Sequence, residues 1–88
     1  MRKMKEADHG DIKGQTIEVQ ELIILKNLWE IYVIDYKDDD TIFCLTLGFE
    51  DEMGYSSLEE LKPFIVLREK DLSGVLPAPN WSWVEEAS

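Results

Sequence analysis

The side chains of this sequence with the clearest chemical capacity are carboxylates. Between residues 35 and 60, nine Asp and Glu residues accompany a single lysine, which leaves a net charge of −8. Eight of the nine form three groups, namely Asp38–Asp40, Glu50–Glu52 and Glu59–Glu60. Paired carboxylates can share general acid–base work, and clustered oxygen ligands can hold a hard cation.

The spacing of these groups favours solvated charge over either chemistry. Asp38–Asp40 lacks the alternating acidic positions and the bidentate glutamate of a calcium loop. One cysteine, Cys44, and one histidine, His9, are too few for a zinc site. Cys44 also sits in an apolar run without an activating base. We therefore predict no catalytic residue, no bound metal and no cofactor.

The charge of the whole chain, −10, limits the choice of partner. It disfavours direct binding to nucleic acid or to an anionic membrane, because like charges repel and no counterions are released. A basic protein partner fits better, and solubility alone is the alternative explanation of the charge. A homodimer is a further alternative. The predicted partner-binding residues are Asp38, Asp39, Asp40, Glu50, Asp51, Glu52, Glu59, Glu60, Trp81 and Trp83.

The length and cysteine content indicate one small domain. A chain of 88 residues buries only about 60–65% of its unfolded surface and gains from a partner that covers more. The single cysteine cannot form an internal disulfide, so we expect a cytoplasmic setting. Residues 1–14 are polar and aperiodic, which predicts a mobile arm or the remnant of a shortened first element. Residues 15–88 are expected to form one α+β domain with a C-terminal tail that contains proline and tryptophan.

Three strands are expected in the first half of that domain. Thr16–Leu25 is rich in β-branched residues and predicts a strand, although Val19–Lys26 also fits a helix. Trp29–Tyr36 predicts a strand with apolar residues on both faces. Lys37–Asp40 predicts a hairpin loop, so Thr41–Phe49 should return antiparallel. Its core face is expected to comprise Phe43, Leu45, Leu47 and Phe49.

A short helix is expected after an acidic turn at Glu50–Glu52. Ser56 or Ser57 can cap it, with Glu59 or Glu60 closing a capping box, and Pro63 limits its length. Phe64–Leu67 predicts a last short strand. In the tail, Trp81 and Trp83 either fold back as a clasp or stay exposed for a partner. The expected fold is α+β, an antiparallel meander of three or four strands with one short helix on a face.

The segment Gly48–Leu61 also resembles a signature of domain-of-unknown-function family 2958, which occurs on phages, plasmids and other mobile elements. Members carry a similar run of Gly, Glu, Gly-Tyr and Leu-x-Glu-Leu positions after an aromatic strand. The resemblance extends over about residues 29–72. It implies a mobile-element setting and a small α+β fold, and it implies no reaction.

Charge and resemblance together favour a non-enzymatic binding protein. The expected role is a nucleic-acid mimic that inhibits a basic host defence protein or another DNA- or RNA-binding protein. An antitoxin or immunity protein that covers a basic toxin is one alternative. A small enzyme or ligand-binding domain that uses the carboxylates between Glu50 and Glu60 is the other.

Overall fold

The computed structural model describes residues 1–85, so the last three residues of the predicted domain lie outside the described part. Eight strands and one α-helical turn form within it. They are β1 (Arg2–Glu6), β2 (Thr16–Val19), β3 (Glu21–Leu25), β4 (Glu30–Tyr36), β5 (Thr41–Leu47), β6 (Asp51–Ser57), α1 (Leu58–Leu61), a 3-10 turn (Lys62–Phe64), β7 (Ile65–Glu69) and β8 (Trp81–Trp83).

The strands form two antiparallel sheets. The larger sheet has the order β6-β5-β4-β3-β7, and the smaller has the order β2-β1-β8. The α+β class is therefore correct, but the expected meander of three or four strands understates a structure with two sheets and eight strands. The larger sheet is covered on both faces, which allows strands with few polar residues.

The N-terminal segment is part of the fold, contrary to the expected mobile arm. Arg2–Glu6 forms β1, the central strand of the smaller sheet. Met4 is fully buried and lies opposite Ile17 of β2 and Trp83 of β8. Its neighbours in β1 are charged and give no apolar period, so the strand depends on pairing partners distant in sequence.

The ambiguous segment between Thr16 and Leu25 is extended and belongs to two sheets. It forms β2 and β3, which are separated by Gln20. The backbone N–H of Gln20 donates to the carbonyl oxygen of Val33, which keeps the chain attached to β4 at the change of sheet. Strands that switch sheets at such a bend are a known way to connect two packed layers.

The two faces of β4 follow the predicted alternation for most of the strand. Ile31 and Val33 join one core cluster, whereas Tyr32 joins the other, and all three are almost fully buried. A bulge between Val33 and Asp35 then shifts the register. Tyr36 consequently lies opposite Ile42 and shares the face of Val33, not the predicted face of Tyr32.

The predicted single core face of β5 is only partly correct. Leu45 is buried in one cluster, but Ile42 and Cys44 are more deeply buried in the other, because both faces of the sheet are covered. Phe43 is only partly buried. Phe49 lies beyond the end of β5 and is 95% exposed, so its assignment to the core is wrong.

The segment after Gly48, predicted as an acidic turn leading to a helix, instead forms the second strand of a β-hairpin and then a helical turn. Asp51–Ser57 pairs with β5 along its whole length as β6. The helix start is confirmed, since Ser57 is the N-cap of α1 and its side chain accepts a hydrogen bond from the Glu60 N–H. The strand predicted at Phe64–Leu67 is present as β7 over Ile65–Glu69, but it is not the last strand, because β8 follows it.

Candidate functional site

The acidic turn between β4 and β5 is stabilised by one of its own carboxylates. Oδ1 of Asp38 accepts hydrogen bonds from the backbone N–H groups of Thr41 (2.7 Å) and Asp40 (2.9 Å). These bonds favour the ionised form and lower the pKa of Asp38, with the Thr41 bond as the larger cause. Asp38 thus has a structural role in the turn, which is typical of aspartate at this position.

Asp40 has a structural role at longer range. Its Oδ2 accepts a hydrogen bond from the Ser57 hydroxyl group, and its Oδ1 accepts one from the Glu59 N–H, both at 2.8 Å. Its carbonyl oxygen accepts from the Leu58 N–H, also at 2.8 Å. Asp40 therefore caps the first turn of α1 together with Ser57, a contact that local sequence patterns do not reveal.

The remaining predicted acidic residues lie at two ends of the β5–β6 hairpin. Glu50–Glu52 occupy the turn and the start of β6, whereas Glu59 and Glu60 follow its end and lie beside the turn that contains Asp39. A helix directly after the acidic turn, as the sequence predicts, would place Glu59 and Glu60 near Glu50. That placement is wrong, because β6 returns the chain to the Asp40 end.

Six exposed carboxylates remain without a structural role, namely Asp39, Glu50, Asp51, Glu52, Glu59 and Glu60. None of the four salt bridges found in the described part of the chain includes them. The six residue steps of β6 separate the two groups by about 20 Å.

Two aromatic rings add an apolar element to the Glu50 end. The ring of Phe49 meets the ring of Trp29 edge-to-face, with 5.3 Å between centroids and an interplanar angle of 83°. Gly48 permits this contact, because a Cβ atom there would lie 2.8 Å from the Trp29 ring. A cleft of about 190 Å³ is lined by both rings together with Glu50 and Glu52.

Leu28 is another exposed apolar residue, in the turn before β4, which the strand register places at the same end of the sheet as Gly48. Its side chain is 81% exposed, and its backbone φ is +69°, in the left-handed region that branched side chains disfavour. The backbone of Leu28 closes the turn, since its N–H donates to the carbonyl oxygen of Leu25 at 2.9 Å, but its exposed side chain adds little burial. We define Leu28, Trp29, Phe49, Glu50, Asp51 and Glu52 as the hairpin tip.

A second concave region lies between α1 and β7. It is a groove of about 700 Å³ that is lined by both acidic and basic side chains. Its lining consists of Asp39, Asp40, Leu58, Glu59, Lys62, Ile65 and Arg68. The mixed charge makes this groove less selective for a basic ligand than the hairpin tip.

A half-buried ion pair lies beside this groove. Glu21 is fully buried, and Arg68 donates to both of its carboxylate oxygens, from Nε at 3.2 Å and from Nη2. The Tyr36 hydroxyl group donates to Glu21 at 2.6 Å.

Burial acts to raise the pKa of Glu21, but the hydrogen bonds from Arg68 and Tyr36 outweigh it, so the net shift is downward. Burial and the bond to Glu21 raise the pKa of Tyr36 to about 12. Both groups are therefore held in their ordinary ionisation states at neutral pH.

The nucleophile and metal candidates are separated from any activating group. Cys44 is buried, and within residues 1–85 its Sγ has hydrogen-bond contacts only with the hydroxyl oxygens of Thr46 (3.8 Å) and Ser56 (3.6 Å), neither of which is a base. His9 lies in an exposed loop and pairs through its backbone with Ile12. Across residues 1–85, no three His, Cys, Asp or Glu side chains converge where they could hold a metal ion.

The tail folds back as a clasp, one of its two expected arrangements. Trp81 is 7% exposed and pairs with Glu6 through β8, so its ring is not an accessible binding surface. Trp83 is partly buried, and its Nε1 donates to the carbonyl oxygen of Val75 at 2.7 Å. The Arg2 guanidinium lies 4.3 Å from the centre of the Trp83 ring.

Comparisons with known proteins give no match to this arrangement: no family model, no curated protein and no solved structure matches the chain. The resemblance at Gly48–Leu61 accordingly stays a prediction. In residues 1–85, no helix has the length and apolar character needed to cross a membrane.

Proposed function

We propose that the protein is a small, acidic, non-enzymatic binding protein that occupies the basic nucleic-acid-binding surface of a partner protein and so inhibits it. The observation that supports this most strongly is the set of six exposed, unpaired carboxylates at the two ends of the β5–β6 hairpin. Like charges left without partners destabilise a compact fold, so a binding role explains their retention better than stability does.

The separation of the two groups suits an extended partner surface. The two groups of carboxylates are about 20 Å apart, so they cannot converge on one small ligand. Their separation resembles the spread of charge along a nucleic acid. Charges at the ends of one hairpin also produce a field that steers a basic partner before contact. Such steering raises association rates by about 10- to 1000-fold at low ionic strength.

The apolar side chains of the hairpin tip would stabilise the complex after the encounter. Phe49 is exposed and adjoins Glu50 in the chain, and Leu28 is exposed in the neighbouring turn at the same end of the sheet. Interfaces commonly combine an apolar centre with a polar rim, and aromatic residues contribute strongly there. In this proposal, the carboxylates set the association rate and the apolar residues slow dissociation.

The resemblance of Gly48–Leu61 to the mobile-element family motivates the choice of partner. Proteins encoded on phages and plasmids meet host defence and regulatory proteins that bind nucleic acids. A basic DNA- or RNA-binding protein of the host is therefore the proposed target.

Affinity capture with nucleic-acid competition tests this proposal. The wild-type protein is immobilised, incubated with bacterial lysate in low salt, and eluted with duplex DNA or with RNA. The tip variant Glu50→Gln/Asp51→Asn/Glu52→Gln is compared with the control variant Asp11→Asn/Glu18→Gln/Glu85→Gln, which removes the same charge from exposed positions elsewhere. We expect a nucleic-acid-binding protein that is released by the competitor, retained by the control variant and lost by the tip variant. Retention by the tip variant, or elution that nucleic acid cannot cause, would contradict the proposal.

A further inference from the structure

Strand β6 has an outer edge that pairs with no other strand in residues 1–85. It is the last strand of the larger sheet and has seven residues. Its pairing with β5 is continuous from Asp51 to Ser57, without a register shift. It contains no proline and no lysine, two residues that commonly protect an edge. The outer backbone N–H and C=O groups of β6 are thus available for another strand.

The opposite edge of the sheet, β7, is shorter and less regular. The pairing of β7 with β3 is interrupted by a register shift between Ile24 and Leu25. Pro63 precedes β7, and Lys62 and Lys70 flank it. Bulges, proline and lysine all hinder edge-to-edge pairing. The larger sheet therefore has one protected edge and one open edge.

The open edge also has a defined charge pattern. Glu50–Glu52 lie at one end of β6, and Glu59 and Glu60 lie just beyond the other. The middle of the strand has no charged residue. It is also accessible, because a Cβ atom at Gly54 would meet nothing within 4 Å and Tyr55 is 65% exposed. The Tyr55 ring packs against Phe43, with 5.1 Å between centroids. A shallow groove of about 350 Å³ opens beside Tyr55, Ser57 and Glu60.

From these observations, and resting on the proposed function, we propose that β6 binds an extended segment of the basic partner as an additional strand of the sheet. The segment carries Lys or Arg near both ends, about 20 Å apart, with neutral residues between them. Backbone hydrogen bonds supply affinity in this mode, and side chains supply specificity. Because both ends of β6 are acidic, the charges favour such a segment in either orientation.

A second copy of the chain fits this edge poorly. Antiparallel pairing of two β6 strands about Gly54 would place Glu50–Glu52 of one copy beside Glu59 and Glu60 of the other. Like charges placed next to each other destabilise strand pairing. The charge pattern therefore favours a basic segment over self-association.

Peptide binding followed by amide hydrogen exchange tests strand addition directly. The probe is a synthetic peptide with lysines at each end and alternating valine and threonine between them. The control peptide has the same side chains, but its backbone is N-methylated at every second central residue, which keeps the charge and prevents ladder formation. Binding and exchange are measured by NMR on the wild-type protein at low salt, so no variant has to fold.

We expect the probe to slow exchange of alternate amides within Asp51–Ser57, and the N-methylated peptide to bind about 10-fold more weakly or worse. Equal affinity of the two peptides, or protection outside β6, would overturn strand addition while leaving an acidic binding surface in place. Failure of the probe to bind would also overturn it, and the nucleic-acid-competed capture would then decide the proposed function separately.

Discussion

The carboxylate of Asp40 and the hydroxyl group of Ser57 form a hydrogen bond of 2.8 Å between residues 17 positions apart in the sequence. Asp40 also accepts the Glu59 N–H, and Ser57 accepts the Glu60 N–H at 3.3 Å. The turn after β4 thus caps α1 and fixes the end of β6. One member of the predicted acidic surface is thereby assigned to the fold, and its neighbour Asp39 is left free for a partner.

Replacing Asp40 tests this capping role. Asp40→Ala should destabilise the protein by about 1–2 kcal/mol, because it removes the acceptor for two donors at the helix start. Asp39→Ala is the matched control and should change stability by less than about 0.5 kcal/mol. Urea unfolding followed by circular dichroism measures both. Equal stability of the two variants would show that Asp40 does not cap α1.

A comparison of Leu45 with Phe49 tests the boundary of the core. Leu45 is 3% exposed, so Leu45→Ala should cost about 2–5 kcal/mol through lost burial and cavity formation. Phe49 is 95% exposed, so Phe49→Ala should cost less than about 0.5 kcal/mol. Thermal unfolding of the two variants separates these outcomes. A large loss for Phe49→Ala would mean that its ring packs into the core.

The ion pair of Glu21 and Arg68 should make stability depend on acid pH. The pKa of Glu21 in the folded protein lies below its ordinary value of 4.5. The pair therefore contributes stability above about pH 4.5, and this contribution is lost as the pH falls through the lowered pKa. In Glu21→Gln, the fall in stability between pH 7 and pH 3 should be smaller than in the wild-type protein. An unchanged fall would assign the acid sensitivity to other carboxylates.

Removing the charge of Arg68 should destabilise the protein more than removing the charge of Glu21. Arg68→Met leaves a buried carboxylate without its partner, which should cost about 2–4 kcal/mol at neutral pH. The Arg68 side chain is 42% exposed, which keeps this figure below that of a fully buried pair. Glu21→Gln leaves Arg68 able to reach solvent and should cost less. The reverse order in urea unfolding would contradict the assigned environment.

Leu28 should reduce stability through its backbone conformation. Asparagine tolerates positive φ better than leucine or alanine does, and the left-handed region costs other residues about 1 kcal/mol. Leu28→Asn should therefore be more stable than Leu28→Ala by about 0.5–1 kcal/mol, although both variants lose the same exposed side chain. Equal stability would indicate that φ at this position is not strained.

Sequence patterns predicted those elements whose signal is local. The alternation of apolar residues in Trp29–Tyr36 identified β4 and most of its two faces, and the Ser57–Glu60 spacing identified the start of α1. The strand β1 was missed because Met4 is its only deeply buried apolar residue. Glu50–Glu52 were assigned entirely to a turn because of their charge, although Asp51 and Glu52 pair with β5.

The candidate site was harder to predict because it depends on tertiary contacts. The grouping of Asp39 with Glu59 and Glu60 depends on β6, which returns the chain to the end of the sheet at Asp40. The sequence predicts a turn and a helix in place of this strand. The exposure of Phe49 follows from the end of the β5 ladder at Leu47. The bulge after Val33, which moves Tyr36 beside Glu21, has no local signal in an otherwise regular alternation.

Association kinetics of the captured partner test the central claim most directly. Rates are measured by stopped flow at low and high salt for the wild-type protein, the tip variant (Glu50→Gln/Asp51→Asn/Glu52→Gln) and the control variant (Asp11→Asn/Glu18→Gln/Glu85→Gln). At low salt, the tip variant should associate about 10-fold more slowly than the wild-type protein, and the difference should shrink at high salt as the charges are screened. The control variant should stay much closer to the wild-type rate. A tip variant that associates at the wild-type rate in low salt would contradict the proposal that these carboxylates guide the protein to a basic partner.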